Sequence, residues 1–235
     1  MMDLQVLAAG SLRLAWQPLM AQFCRETGIH VDTRFAPAGM LRERIEAGEY
    51  CSLFASANMA HPQALLEQGI ASAVQRFAGN TLCVTAAAQV VEEKSDWLSL
   101  LANPALRIAT STPGSDPSGD YTWQLFAGLQ SRFGVELHHR AIPLVGGPDS
   151  KPVPQGELAA AWLIGSGQAD LFIGYRSYAG VLKQHKELRV FEIPQPYNIE
   201  ANYGVALCDE RARPLWAFLG SDSARGILLQ SGFSA

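Results

Sequence analysis

The sequence predicts an α/β protein in which strands and helices alternate around mostly parallel sheets, and three observations carry that prediction. Short apolar runs alternate with segments of helical periodicity along all 235 residues. Small-residue or hydroxyl-bearing turns sit where strand gives way to helix, at Ala9-Gly10-Ser11, Pro37-Ala38-Gly39 and Ser115-Asp116-Pro117-Ser118-Gly119. No internal repeat or compositional break separates independent domains. A single sheet of this many strands would be unusually wide, however, so two α/β lobes joined by extended crossings are expected.

Leu4 to Ala9 reads as the first strand. Leu12, Ala15, Trp16, Leu19, Met20 and Phe23 then recur at helical spacing until Gly28 stops the helix, and Pro18 inside it is expected to kink it or move its effective start. Ile29 to Phe35 alternates as a second strand, followed by a turn and a short helix from Met40 to Ala47. Ser52 to Ala57 is a third strand, Pro62 to Gln68 a helix with proline at its first position, and Thr81 to Ala86 a further strand. Ser95 caps a helix to Leu101, Leu106 to Thr110 is a strand, and Asp116-Pro117 starts a helix reaching about Arg132. Ala141 to Gln155, rich in proline and glycine, reads as a loop. Glu157 to Ser166 is helical, Asp170 to Gly174 a strand, Ser177 to Gln184 a helix and Leu188 to Ile193 a strand. The tail has a strand from Ala201 to Cys208 and two helices around Trp216 and Leu228.

Composition narrows the function classes. With 18 Lys+Arg against 22 Asp+Glu, a net charge of −4 and no basic run, the chain lacks the electrostatic footprint of a nucleic-acid or membrane-surface binder. No stretch approaches the roughly 20 apolar residues that cross a bilayer. The start MMDLQVLAAGS has no basic n-region, apolar h-region or cleavage site, so no secretory signal is expected in the sequence as given. Cys24, Cys51, Cys83 and Cys208 are widely spaced without a CxxC pair, which argues against a zinc or thioredoxin-type site and favours buried free thiols.

The search for catalytic and metal sets returns little. There is no GxSxG elbow, GxxxxGK[ST] or GxGxxG, and His30, His61 and His185 are scattered without HExxH spacing. His138-His139 reads as a pair of solvated strand residues, and Glu92-Glu93 as a solvated charged loop. No metal site, no cofactor and no enzymatic activity are expected. The three small-residue turns are different, because each aims free N–H groups of a helix start at a point beyond the strand ends. Helix starts carry partial positive charge, so together such turns make an anion site without any lysine or arginine.

The segments LQVLAAGSL, FAPAGMLRERIEAG, SLFASA, GNTLCVTA, SDPSGDYTWQLF, QADLFIGYRSYAG and WAFLGSDSARGILLQSGF follow one another in an order and spacing that resembles the periplasmic molybdate-binding proteins of ABC transporters, across nearly the whole chain. The resemblance implies a two-lobed periplasmic-binding-protein-like fold of type II, with mixed sheets flanked by helices and a ligand cleft between lobes. Lobe one would be residues 1 to 82 plus 200 to 235, and lobe two residues 83 to 199. It implies five anion-binding positions. Ser11 would offer hydroxyl and N–H, and Gly39, where the family has its second serine, would offer N–H alone. Ser118 would add a hydroxyl to a helix-start N–H, a backbone donor falls near Glu157, and Tyr175 matches the tyrosine that bonds the oxyanion.

The missing hydroxyl at Gly39 is worth about 1 kcal/mol by the usual hydrogen-bond scale. A related branch that holds tungstate or molybdate with carboxylates has DPCGYR and EYRS motifs. Here Asp116 is kept, but Gly174 stands before Tyr175 in place of the glutamate, so Asp116 is expected to cap its helix and the anion to be held by hydrogen bonds alone. A fully ionised tetrahedral dianion only accepts hydrogen bonds, whereas hydrogen phosphate also needs an acceptor, so a donor-only site rejects phosphate. Closure of the implied lobes would strengthen each bond by lowering the local dielectric. Cys83 and Cys208 fall on strands expected to cross between lobes, where a disulfide is conceivable and two thiols are favoured.

The resulting expectation is a periplasmic, monomeric receptor that captures molybdate or tungstate, with the metal present only as oxyanion, and hands it to an ABC-transporter membrane permease. The alternatives are a cytoplasmic small-anion-sensing domain or a binding protein for sulfate or another small anion. An enzyme ranks last, because no nucleophile and base pair is visible.

Overall fold

A computed structural model describes residues 4–234, which divide into two compact units: residues 4–80 with 201–234, and Thr81–Glu200. Each unit holds one five-stranded mixed sheet with its own helices.

In the first unit the strands are β1 (Leu4–Ala9), β2 (Val31–Ala36), β3 (Leu53–Ser56), β4 (Ala73–Asn80) and β10 (Ala201–Leu207), in the spatial order β2-β1-β3-β10-β4. β1 pairs in parallel with β2 and β3, and β10 runs antiparallel to β3 and β4. β1 is buried everywhere but Gln5 and β3 is buried throughout, as near-continuous apolar strands covered on both faces must be. The covering helices are α1 (Arg13–Thr27), α2 (Ala38–Glu46), α3 (Ala60–Glu67), α8 (Arg213–Leu219) and α9 (Asp222–Gln230).

α1 shows how sequence becomes packing. Its buried stripe is Ala15, Trp16, Leu19 and Phe23, where each large side chain contributes about 1.5–3 kcal/mol by leaving water. Trp16 also donates its indole N–H to Thr33 Oγ1 at 2.9 Å, tying the helix to β2. Gly28 ends the helix in the left-handed region at φ 73° and returns its N–H to Cys24 O. Pro18 neither breaks the helix nor moves its start. Pro18 and Leu14, whose carbonyl lacks its helical donor as a result, both lie on the exposed face of the helix.

In the second unit the strands are β5 (Leu82–Ala87), β6 (Ile108–Ser111), β7 (Ala141–Val145), β8 (Leu171–Tyr175) and β9 (Leu188–Glu192), in the order β7-β6-β8-β5-β9. β6 is parallel to β7 and β8, while β5 is antiparallel to β8 and β9. The helices are α4 (Trp97–Ala102), α5 (Pro117–Phe133), α6 (Ala159–Gly165) and α7 (Ala179–Leu182). Leu163, Ala109, Phe172, Leu188 and Ala160 belong to one apolar cluster that fixes α6 against this sheet.

Four elements depart from the sequence expectation. β4 is an unforeseen strand: Gln75 and Arg76 interrupt its pattern, but it is an edge strand, where Arg76 Nε donates to Asn202 Oδ1 and Gln75 Nε2 to Trp216 O, each at 2.5 Å. β7 lies in the segment expected to be a loop; Pro143 is accommodated because the strand occupies a sheet edge, where a missing N–H interrupts no second ladder. The cap of α4 is Asp96, not Ser95, in a reciprocal pair where Ser99 N–H donates to Asp96 Oδ1 at 2.7 Å and Asp96 N–H to Ser99 Oγ at 2.9 Å. His138 and His139 form part of a turn, and the His138 ring packs edge-on against Trp123 and Phe126.

Candidate functional site

In the first unit the parallel strands β1 and β2 end side by side at the paired residues Ala9 and Ala36, so the chain turns into a helix twice at one edge of the sheet. Ligands of open α/β sheets bind at such carboxyl ends. After Ala9 the chain passes through a single 3-10 turn, Gly10–Leu12, directly into α1, and Ser11 lies in that turn, partly exposed. After Ala36, Pro37 caps α2, and the first helical bond is Leu41 N–H to Pro37 O at 3.0 Å. The N–H groups of Ala38, Gly39 and Met40 therefore precede any intrahelical acceptor. Gly39 is buried, and with no side chain it contributes only its backbone donor.

The Ser11 hydroxyl has a partner the sequence did not suggest. Tyr203, in the middle of β10 and wholly buried, donates its phenolic O–H to Ser11 Oγ at 2.9 Å. Asn80 Nδ2, also buried, lies 3.5 Å from the same phenol oxygen.

In the second unit β6 and β8 are parallel neighbours and end at Ser111 and Tyr175. Beyond β6 the chain enters α5 behind Asp116, which caps the helix as the sequence indicated: its Oδ1 accepts the Ser118 N–H at 3.0 Å. The Ser118 N–H is thus already engaged, and the Gly119 N–H goes to Asp116 O at 2.8 Å, so the hydroxyl is the donor that Ser118 retains. Gly119 is required here because a Cβ would come within 2.6 Å of Pro113 N and Thr112 C and 2.7 Å of Ser111 O, all backbone.

Asp116 as a whole is partly exposed, but its carboxylate is enclosed by protein, and this burial pushes its pKa up to about 6. Hydrogen bonds from the Ser118 N–H and the Ser111 hydroxyl act in the opposite direction and are too weak to restore the ordinary carboxylate value. A Cβ on Gly146, at φ 78°, would stand 2.7 Å from Asp116 Oδ2, so the loop after β7 also closes on this carboxylate.

Glu157 is exposed and its N–H donates to Pro154 O at 3.0 Å, closing a turn, while α6 begins two residues later behind Leu158. The proline-terminated turn uses the backbone donor that the sequence reading assigned to the anion. Tyr175 is 4% exposed, and its hydroxyl oxygen is buried. Gly174 before it packs on Phe172, whose ring would meet a Cβ at 2.7 Å, so a glutamate is excluded at that position without repacking.

The cysteines are all free. Cys83 lies in β5 of the second sheet and Cys208 follows β10 of the first, so the strand pairing that would have brought them together does not occur. Cys208 instead shares a hydrogen bond with Cys51, and this contact together with burial holds the Cys51 thiol well above its ordinary value. Among the described residues no cluster of His, Cys, Asp or Glu could hold a metal ion, and no helix is long and apolar enough to cross a membrane.

Residues 4–234 match the family described as bacterial extracellular solute-binding protein. The chain belongs to that family. It is 42% identical over 210 residues to an uncharacterised protein of Pasteurella multocida, covering 86% of each chain. It is 28% identical over 245 residues to the molybdate-binding protein ModA of Escherichia coli, covering 97% of this chain and 88% of that one. The fold is shared with the periplasmic molybdate-binding protein of Azotobacter vinelandii, at TM-score 0.78 and 20% identity over 99% of both chains. It is shared equally with the sulfate-binding protein SubI of Mycobacterium tuberculosis, at TM-score 0.79 and 15% identity over 99% of this chain and 86% of that one. The two mixed sheets flanked by helices are thus the two-lobed type II architecture, and this member of the family is a solute-binding protein.

Proposed function

We propose that this protein is a periplasmic receptor that captures a tetrahedral oxyanion, molybdate or tungstate, and delivers it as a monomer to the membrane permease of an ABC transporter. In this reading Ser11 and Gly39 contribute donors from the first unit, and Ser118, Glu157 and Tyr175 from the second. Ser11 acts through its hydroxyl and its first-turn N–H, Gly39 through N–H alone, Ser118 through its hydroxyl and Tyr175 through its phenol. Glu157 joins by exchanging Pro154 O for the anion.

The observation that carries the reading is the paired exit of β1 and β2 into helix starts at Ala9 and Ala36, so that the Ser11 and Gly39 turns both follow the carboxyl ends of one parallel strand pair. Likeness to a protein named for molybdate, at 28% identity over 97% of the chain, supports the choice of anion.

Thermal unfolding with molybdate, tungstate, sulfate and phosphate at about 1 mM each tests it. A ligand bound only by the native state stabilises by RT ln(1 + [L]/Kd), about 4.1 kcal/mol at a thousandfold excess over Kd. Selective stabilisation by molybdate and tungstate is expected. Stabilisation by sulfate alone moves the protein to that substrate, and stabilisation by none of the four refutes the oxyanion assignment.

A further inference from the structure

We infer that Tyr203 and Asn80 set the direction of the Ser11 hydroxyl, holding it as a hydrogen-bond donor toward the anion. The inference rests on the proposed role of Ser11 and adds two residues on strands far from it in sequence.

A serine hydroxyl has one proton and two lone pairs and rotates to suit its surroundings, so left alone it can give or accept. In the 2.9 Å contact Tyr203 Oη gives its proton to Ser11 Oγ. Asn80 Nδ2, which can only donate, lies 3.5 Å from Tyr203 Oη and reinforces that direction by donating to the phenol oxygen. Ser11 Oγ then accepts from Tyr203, and its own proton is free to point elsewhere. The chain runs Asn80 to Tyr203 to Ser11, each bond polarising the next in the same direction.

The supports of this chain are rigid. Tyr203 is 0% exposed and Asn80 2%. The Tyr203 ring stands edge-on to Phe77, with centroids 6.4 Å apart at 88°, and to Phe233, 5.4 Å apart at 88°. The antiparallel ladder that pairs Ala201 with Asn80 and Tyr203 with Ala78 fixes the spacing of the two residues. The partly exposed end of the chain is Ser11, where a ligand can reach it. A fully ionised oxyanion offers only acceptors and is matched by this orientation. Tyr203 is therefore a positioning residue, acting through Ser11.

The test is a double-mutant cycle in the full chain, read as the calorimetric Kd for molybdate. Tyr203→Phe keeps the packed ring and removes the phenol; it is expected to weaken binding about five- to tenfold, the scale of one hydrogen bond. In a Ser11→Ala background the same change is expected to shift Kd by less than about twofold, because nothing is left to orient. Asn80→Ala, with the phenol in place, is expected to weaken binding about two- to fivefold and to lose that effect in the Ser11→Ala background.

An equal loss in both backgrounds makes Tyr203 merely structural and overturns the inference, as does an unchanged Kd. Circular dichroism and the unliganded melting temperature identify a variant that fails to fold, in which case the Asn80 cycle decides. If the wild-type protein binds no molybdate, the receptor reading fails and the inference falls with it, an outcome distinct from normal wild-type binding that is insensitive to Tyr203.

Discussion

Replacing Asp116 by asparagine should make the second unit more stable at neutral pH and remove part of its pH dependence. The carboxylate is enclosed by protein and its pKa stands at about 6 in the folded chain, against 3.8 when unfolded. An acid whose folded value is raised binds its proton more tightly in the native state. Its favourable contribution is complete below pH 3.8 and is lost as the pH rises through about 6. The gap between those values corresponds to at most about 3 kcal/mol, at 1.36 kcal/mol per pH unit. Asparagine is uncharged, keeps an oxygen for the Ser118 N–H that Asp116 now accepts, and ranks with aspartate as a helix cap. Asp116→Asn is therefore expected to gain up to about 3 kcal/mol at pH 8, to equal the wild type near pH 4, and to flatten the stability profile between. Urea unfolding followed by tryptophan fluorescence at several pH values measures this, with Trp97, Trp123 and Trp162 reporting on the second unit. A variant less stable than wild type at pH 8, or offset from it equally at every pH, would refute the argument that burial raises this group.

Two further predictions concern packing and thiols. Gly119→Ala is expected to destabilise the second unit by about 1–3 kcal/mol in the same urea assay, because its Cβ would meet three backbone atoms within 2.7 Å that cannot yield as a side-chain tip can; an unchanged midpoint would contradict this. Thiol titration of unfolded protein without reductant is expected to count four. In the native protein Cys51 and Cys83 should react slowest: both are buried, and the Cys83 thiol is pushed up to about 12 mainly by burial. Thiols that appear only after reduction would refute four free cysteines.

Strand–helix alternation was legible wherever the pattern was purely local. β1, α1 and α5 follow from an apolar run, a helical stripe and an Asp-Pro start, and Asp116 could be read as a cap because aspartate before proline at a helix start has few other uses. β4 and β7 were not legible, since an edge strand needs no alternating apolar face and tolerates Pro143 or Arg76. The candidate site divides in the same way. Ser11 and Gly39 were visible as small-residue turns. The engagement of the Ser118 and Glu157 N–H groups with Asp116 and Pro154 depends on local geometry that composition does not report. Tyr203 reaches Ser11 across 192 residues of sequence, and only the strand order that sets β10 beside β3 and β4 brings it there.

The central claim is that a donor set including Ser11 holds a fully ionised oxyanion. Calorimetric titration of the wild type and Ser11→Ala with molybdate, under one buffer and with phosphate as control, tests it most directly. The account predicts saturable one-to-one binding of molybdate, no binding of phosphate, and at least about tenfold weaker binding by Ser11→Ala, the scale for a hydrogen bond to a charged group. Equal affinity of the two proteins for molybdate, or tighter binding of phosphate by the wild type, would contradict it.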